Sequence, residues 1–141
     1  MPTPTIKVTA TEAITVQTER DVVQLTTYVR KQAGLLGMSL LDQTKLMTAA
    51  SELARNMLNY AGGGDVQIDL VNGGKQVGIR LIFMDKGPGI ADIKLAMQDA
   101  YSTGRGLGLG LPGTRRLVSE FSIDSTVGQG TTVTIIKWTN G

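Results

Sequence analysis

The chain contains neither cysteine nor histidine. Zinc sites, thiol nucleophiles and serine–histidine triads are therefore excluded, and any general base must be Asp, Glu or Lys. The lack of cysteine fits a reducing compartment. Aromatic residues make up only 4% against a hydrophobic fraction of 41%, so the core is expected to be aliphatic. No apolar run reaches the roughly twenty residues of a membrane-spanning helix. The opening segment MPTPTIKVTATE lacks the basic-then-apolar order of a signal peptide. Neither sign of charge dominates: 14 basic and 12 acidic residues leave a net charge of +2. That balance gives no argument for nucleic acid or a membrane surface as partner. The expectation is a soluble cytoplasmic protein, and at 141 residues one domain spanning 1–141.

What is present has a clear order. Residues 5–16 alternate and are rich in β-branched side chains, which predicts one or two short strands. Thr18 with Asp21 three residues on marks a helix start. That helix is expected to run to about Ala33, with Val22, Leu25, Val29 and Ala33 along one side. The segment from Ser39 carries the strongest helical period, through Leu46, Ala50, Leu53, Met57 and Ala61, and Gly62, Gly63 and Gly64 stop it. The period then changes to that of strands. DVQIDLVNGGKQVGIRLIFMD reads as a hairpin turning at Asn72-Gly73-Gly74. DKGPGI is a sharp loop, ADIKLAMQDAY a short helix and TRRLVSEF another. SIDSTVGQGTTVTIIKWT closes as two strands around Gly128-Gln129-Gly130. The pattern predicts an α+β two-layer sandwich, with a mixed, mainly antiparallel sheet and helices on one face.

Three stretches carry chemistry. In SELARN, Glu52 and Asn56 are four residues apart and share a helix face. A carboxylate and a carboxamide oxygen one turn apart can orient a hydroxyl and hold a hard cation such as magnesium; a solvated polar face is the plainer alternative. In DKGPGI, Asp85 ends an apolar strand and faces a turn. It is either an ordinary turn aspartate or an acceptor for an exocyclic amine, with Gly87 and Gly89 allowing a flat ring to approach the backbone. In STGRGLGLGLPG the glycines alternate, and Thr114 is expected to open the helix that follows. Such a loop can present amides to phosphate, although no lysine and Ser/Thr follow as in a Walker A loop.

Taken in order, Glu-x-x-x-Asn, Asp-x-Gly-x-Gly, Gly-x-Gly-Leu-Gly-Leu and Gly130-Thr131 resemble the four boxes of the GHKL (Bergerat-fold) ATPase/kinase superfamily. The resemblance covers about Leu35 to Ile136. Within the superfamily the chain looks most like the small anti-sigma-type serine/threonine kinases of stressosome switches. The resemblance implies ATP and Mg2+ as cofactors. It implies that Glu52 is the catalytic base toward the substrate hydroxyl, that Asn56 binds the metal, and that Asp85 reads the adenine amino group beside Gly87 and Gly89. It assigns Gly104, Arg105, Gly106, Leu107, Gly108 and Leu109 to an ATP lid, with Arg105 toward the γ-phosphate or simply solvated, and Thr131 to the surroundings of the adenine. The implied partner is a STAS-domain antagonist or scaffold protein, with a metal-dependent phosphatase or a sigma factor as further partners. Two functions stay open: a protein kinase, and a nucleotide-dependent binding regulator. A glutamate at position 52 favours the kinase, because a pure binder needs no base there.

Overall fold

The computed structural model describes residues 5–89 and 110–139. Their element order is β1 (Lys7–Val16), α1 (Glu19–Leu35), α2 (Leu40–Ala61), β2 (Gly64–Asn72), β3 (Val77–Asp85), α3 (Gly110–Arg115), β4 (Glu120–Thr126) and β5 (Gly130–Trp138). The five strands form one sheet in the order β1-β2-β3-β5-β4, and each neighbouring pair is antiparallel. The helix expected at ADIKLAMQDAY lies outside the described residues.

Local chemistry sets the helix ends. Thr18 caps α1 with a full capping box: its hydroxyl accepts from the Asp21 amide at 3.2 Å, while the Asp21 carboxylate accepts from the Thr18 amide at 3.1 Å. The same carboxylate takes the Gln17 amide at 2.8 Å, and these bonds hold its pKa below the usual carboxylate value. Ser39 caps α2, and Gly62 ends it in the left-handed conformation (φ 74°) that suits glycine. Val22, Leu25, Val29 and Ala33 of α1 are buried, as their spacing predicts, together with Leu46, Ala50, Leu53 and Met57 of α2. They pack on Val66, Ile68, Ile79, Leu81, Phe83, Val133 and Ile135, the inward alternate positions of β2, β3 and β5. The core is aliphatic apart from Phe83 and a few ring edges at its border. Lys137, on the inward face of β5, reaches Asp42 in the first turn of α2 at 3.5 Å and ties that end of the helix to the sheet.

Of the one or two strands expected at residues 5–16, the structure has one, Lys7–Val16, ten residues long with a bulge between Val8 and Ala10. One boundary differs from the sequence reading. The helix read at TRRLVSEF lies earlier, at Gly110–Arg115, so Thr114 stands near its end instead of opening it. Glu120 and Phe121 belong to β4, opposite Ile136 and Ile135. The inward positions Phe121 and Ile123 supply a two-residue period that pairing with β5 exploits. The Trp138 indole donates to Glu120 at 2.8 Å, and the Trp138 amide donates to Ser119 Oγ at 3.1 Å. Ladder and side-chain bonds thus outweigh the local helical pattern.

Candidate nucleotide site

The inward face of the sheet is apolar through its middle, and beyond Lys137 at one end its polar side chains gather at the other, where β3 finishes. Register explains this. Asp85 follows Leu81 and Phe83 at the next inward position of β3 and stands opposite Thr131 of β5. Thr131 in turn stands opposite Ser125, the inward position after Phe121 and Ile123 on β4. Three polar side chains therefore lie in one row across three strands. Ser125 Oγ and Thr131 Oγ1 are 2.8 Å apart, and Ser125 Oγ donates to the Gly130 carbonyl at 3.2 Å. Asp85 Oδ1 accepts the Gly87 amide at 2.9 Å. Asp85 is half-buried and Lys86 is exposed.

Glycines let the backbone close around this row. Gly130 has φ 129°, and a Cβ there would strike the Asp85 carbonyl oxygen. A Cβ on Gly87 would meet the Ala61 Cβ at 2.5 Å. One on Gly64 would meet Met57 Sδ at 2.9 Å and the Asp85 Cβ at 3.2 Å. The last turns of α2 thus pack directly beside Asp85. Gly89, with φ 78°, sits against the Thr126 carbonyl, and the neighbouring Pro88 carbonyl accepts the Gly128 amide at 2.9 Å. The Asp85 loop is thereby bound to the β4–β5 turn.

Glu52 and Asn56 lie on the same helix, about two and a half and one and a half turns before its end. Both are half-buried, on the flank bordering the stripe formed by Leu53 and Met57. The Asn56 amide has no hydrogen-bond partner among the described residues, which leaves its oxygen open to an outside ligand. Arg55, between them in sequence, points elsewhere: it pairs with Glu19 of α1 at 3.2 Å on the exposed surface. Among the described residues no group of three or more carboxylate side chains could hold a metal by itself. A hard cation at Asn56 would therefore take most of its ligands from water and phosphate, which is how magnesium is commonly held beside a nucleotide. The residues present fit that arrangement.

Of the sequence-predicted residues, the structure brings Asp85, Gly87, Gly89 and Thr131 together and sets Glu52 and Asn56 on the adjoining helix. Gly104, Arg105, Gly106, Leu107, Gly108 and Leu109 lie outside the described residues. α3, which follows them in the chain, packs against α2 and buries Pro112 and Thr114. Ser125 was missed. Its signal was available in the alternation Phe121, Ile123, Ser125, which puts a hydroxyl at the third inward position.

Residues 41–139 match the family described as "Histidine kinase-, DNA gyrase B-, and HSP90-like ATPase". Over 125 residues the chain is 45% identical to the serine/threonine-protein kinase RsbT of Bacillus subtilis (strain 168), covering 89% of this chain and 94% of that one. Among solved structures, the RsbU and RsbW domains of a Mycobacterium tuberculosis protein superpose with a TM-score of 0.63 at 22% identity, over 92% of this chain and 32% of that one. This chain thus spans about a third of that longer one. The SiaB–SiaC complex of Pseudomonas aeruginosa gives a TM-score of 0.55 at 12% identity, over 93% and 90% of the two chains. At such identities the two structures speak to the fold alone. No helix among the described residues is long and apolar enough to cross a membrane.

Proposed function

Because this chain belongs to the histidine kinase-, DNA gyrase B- and HSP90-like ATPase family, we propose that it is an ATP-dependent serine/threonine protein kinase. Its protein substrate is a small STAS-domain antagonist or scaffold, and phosphorylation switches partners in the cytoplasmic control of a stress sigma factor. The observation that carries the reading is the pairing of Glu52 and Asn56 on α2 next to the Asp85–Thr131 row. It occurs in a chain 45% identical to a protein-serine/threonine kinase.

Phosphoryl transfer asks mainly for positioning and charge neutralisation. Asp85 accepts from the exocyclic amine of adenine, and Gly87 and Gly89 leave space for the ring. Thr131 supplies a second polar contact on the same edge. Asn56 offers its amide oxygen to magnesium, which when bound screens the phosphate charge. Glu52 accepts the proton of the attacking serine or threonine hydroxyl as the new O–P bond forms and the γ-phosphorus bond to the β–γ bridging oxygen breaks, with ADP as the leaving group. Holding both groups on one rigid helix keeps their separation fixed. Gly104, Arg105, Gly106, Leu107, Gly108 and Leu109 are the residues that would meet the ATP phosphates.

The test uses Glu52→Gln with labelled ATP, magnesium and a STAS-domain protein. ATP binding should persist while transfer falls by about 100- to 10,000-fold, the usual worth of a positioned base. Retained transfer would remove Glu52 from the base role. Transfer absent from the parent protein, with nucleotide-dependent capture of the STAS protein intact, would make the chain a binding regulator instead.

A further inference from the structure

The corner where α1 passes into α2 exposes three leucines. Leu35 ends α1, Leu40 and Leu41 open α2, and they are 73%, 71% and 65% exposed. Single exposed leucines need no explanation, but several gathered at one place mark a contact surface. The same corner already supplies the core: Met38 is 3% exposed and Leu36 packs against that cluster. The three outer leucines add nothing to it.

A cavity of about 230 Å³ opens between the two helices at this corner, lined by Arg30 of α1 and by Leu40, Gln43, Thr44, Met47 and Thr48 of α2. That is below the roughly 300–1,000 Å³ of small-molecule sites and suits the side chains of a docked polypeptide. Most of its polar lining is already engaged. Gln43 Nε2 donates to the Met38 carbonyl at 2.8 Å, and the Thr44 and Thr48 hydroxyls donate to carbonyls one turn earlier on α2 at 3.0 and 2.9 Å. Arg30 differs. Neither it nor the adjacent Lys31 has a carboxylate partner among the described residues. Asp42, the acidic residue in the first turn of α2, is held by Lys137.

An apolar seat with a free cation at its edge asks for an occupant that carries both aliphatic and carboxylate side chains. A second copy does not meet this, because it would set Arg30 and Lys31 against cations like themselves. The furrow between two packed helices takes a third helix, apolar face down.

We propose that the α1–α2 corner is a docking site for an acidic amphipathic helix of a partner protein, with the apolar side chains of that helix at Leu40 and Met47 and its carboxylates toward Arg30. Leu40 and Glu52 are about 18 Å apart along α2. A partner held at the corner therefore leaves the nucleotide site free, and the two can be occupied together. The inference stands apart from the roles of Glu52, Asn56 and Asp85.

Fluorescence anisotropy on the full chain tests this. The probe is a labelled synthetic helix of about five turns, with a stripe of leucines flanked by glutamates; its counterpart has lysine for every glutamate. The parent protein should bind the acidic helix at least about tenfold more tightly than the basic one. Leu40→Asp should weaken the acidic helix by at least about tenfold. Arg30→Glu should weaken it too and strengthen the basic helix, turning the preference around. General loss of structure would not produce that inversion. Both residues are exposed, so both variants should fold and keep the parent's ATP affinity. No binding of the acidic helix by the parent, equal affinity for the two helices, or binding untouched by Leu40→Asp and Arg30→Glu would each overturn the proposal. Dimers in sedimentation that Leu40→Asp dissolves would give the corner to a second copy instead. Displacement of the acidic helix by ATP and magnesium would place it in the nucleotide site and overturn the proposal as well.

Discussion

Two carboxylates sit on neighbouring strands of the same sheet and share almost nothing else. Asp69, on the outward face of β2, is fully buried, at 0% exposure. It accepts from Thr11 Oγ1 at 2.7 Å, from Gln67 Nε2 at 3.0 and 3.2 Å, and from Arg80 Nε and its guanidinium NH2 at 3.1 and 2.9 Å. These donors come from three adjacent strands, so the network locks β1, β2 and β3 in register. Asp85, on the inward face of β3, accepts one backbone amide and keeps an oxygen open. A buried polar group with every bond made is a fastening. A half-satisfied one at a rim is a place for a ligand. Both residues are aspartates within apolar strands, and only the supply of donors around them separates the two roles.

Substitution should break the comparison most visibly at Asp69. Asp69→Ala leaves the Arg80 guanidinium without its partner and should cost about 3 kcal/mol in chemical denaturation, in the range for breaking a buried pair. ATP affinity of the molecules that remain folded should not change. Asp85→Asn should do the reverse. The new amide oxygen still accepts from Gly87, so stability should move by less than about 1 kcal/mol. Loss of the charged acceptor should weaken ATP binding by about 10- to 100-fold by calorimetry. If Asp85→Asn proved the more destabilising of the two, the division between fastening and binding site would be wrong.

Acid sharpens the same contrast. Burial tends to raise the Asp69 pKa, but the bonds from Thr11, Gln67 and Arg80 outweigh it and hold the value below the usual carboxylate range. A carboxylate whose pKa is depressed in the folded state contributes stability that is present above its unfolded pKa of about 3.9 and is lost as pH falls through the folded value. Asp21, held down by the Gln17 and Thr18 amides, contributes in the same direction. Stability should therefore decline below about pH 4. Asp69→Asn should flatten that decline, measured as denaturation midpoint against pH, and an equally steep decline in Asp69→Asn would contradict it. The smallest effect is expected at Arg55→Ala. Its pair with Glu19 is exposed on both sides, at 47% and 65%, so the loss should stay within about 0.5 kcal/mol.

Much of the architecture was legible because its causes are local. Thr18 and Asp21 mark the start of α1, Gly62 the end of α2 and Asn72-Gly73 the β2–β3 turn, each through bonds or dihedrals that its own neighbours supply. Asp85, Glu52 and Asn56 stood out by spacing and order along the chain. Other features were hidden by the same logic. The β-branched residues at 5–16 do not tell one bulged strand from two. LVSEF has no local feature that chooses helix over strand until β5 lies alongside it. Ser125 looks like any serine in a polar strand, and Asp69 like a misplaced charge.

By itself, then, the sequence determined the helix caps, the turns, the apolar stripes and the order of the boxes that place this chain in its family. Only the tertiary structure decided that Ser125 joins Asp85 and Thr131 in one row and that Asp69 is surrounded by donors. The reason is physical: caps, turns and periods depend on residues within a few positions of one another, whereas the partners of a side chain on a sheet come from strands that only pairing brings to its side.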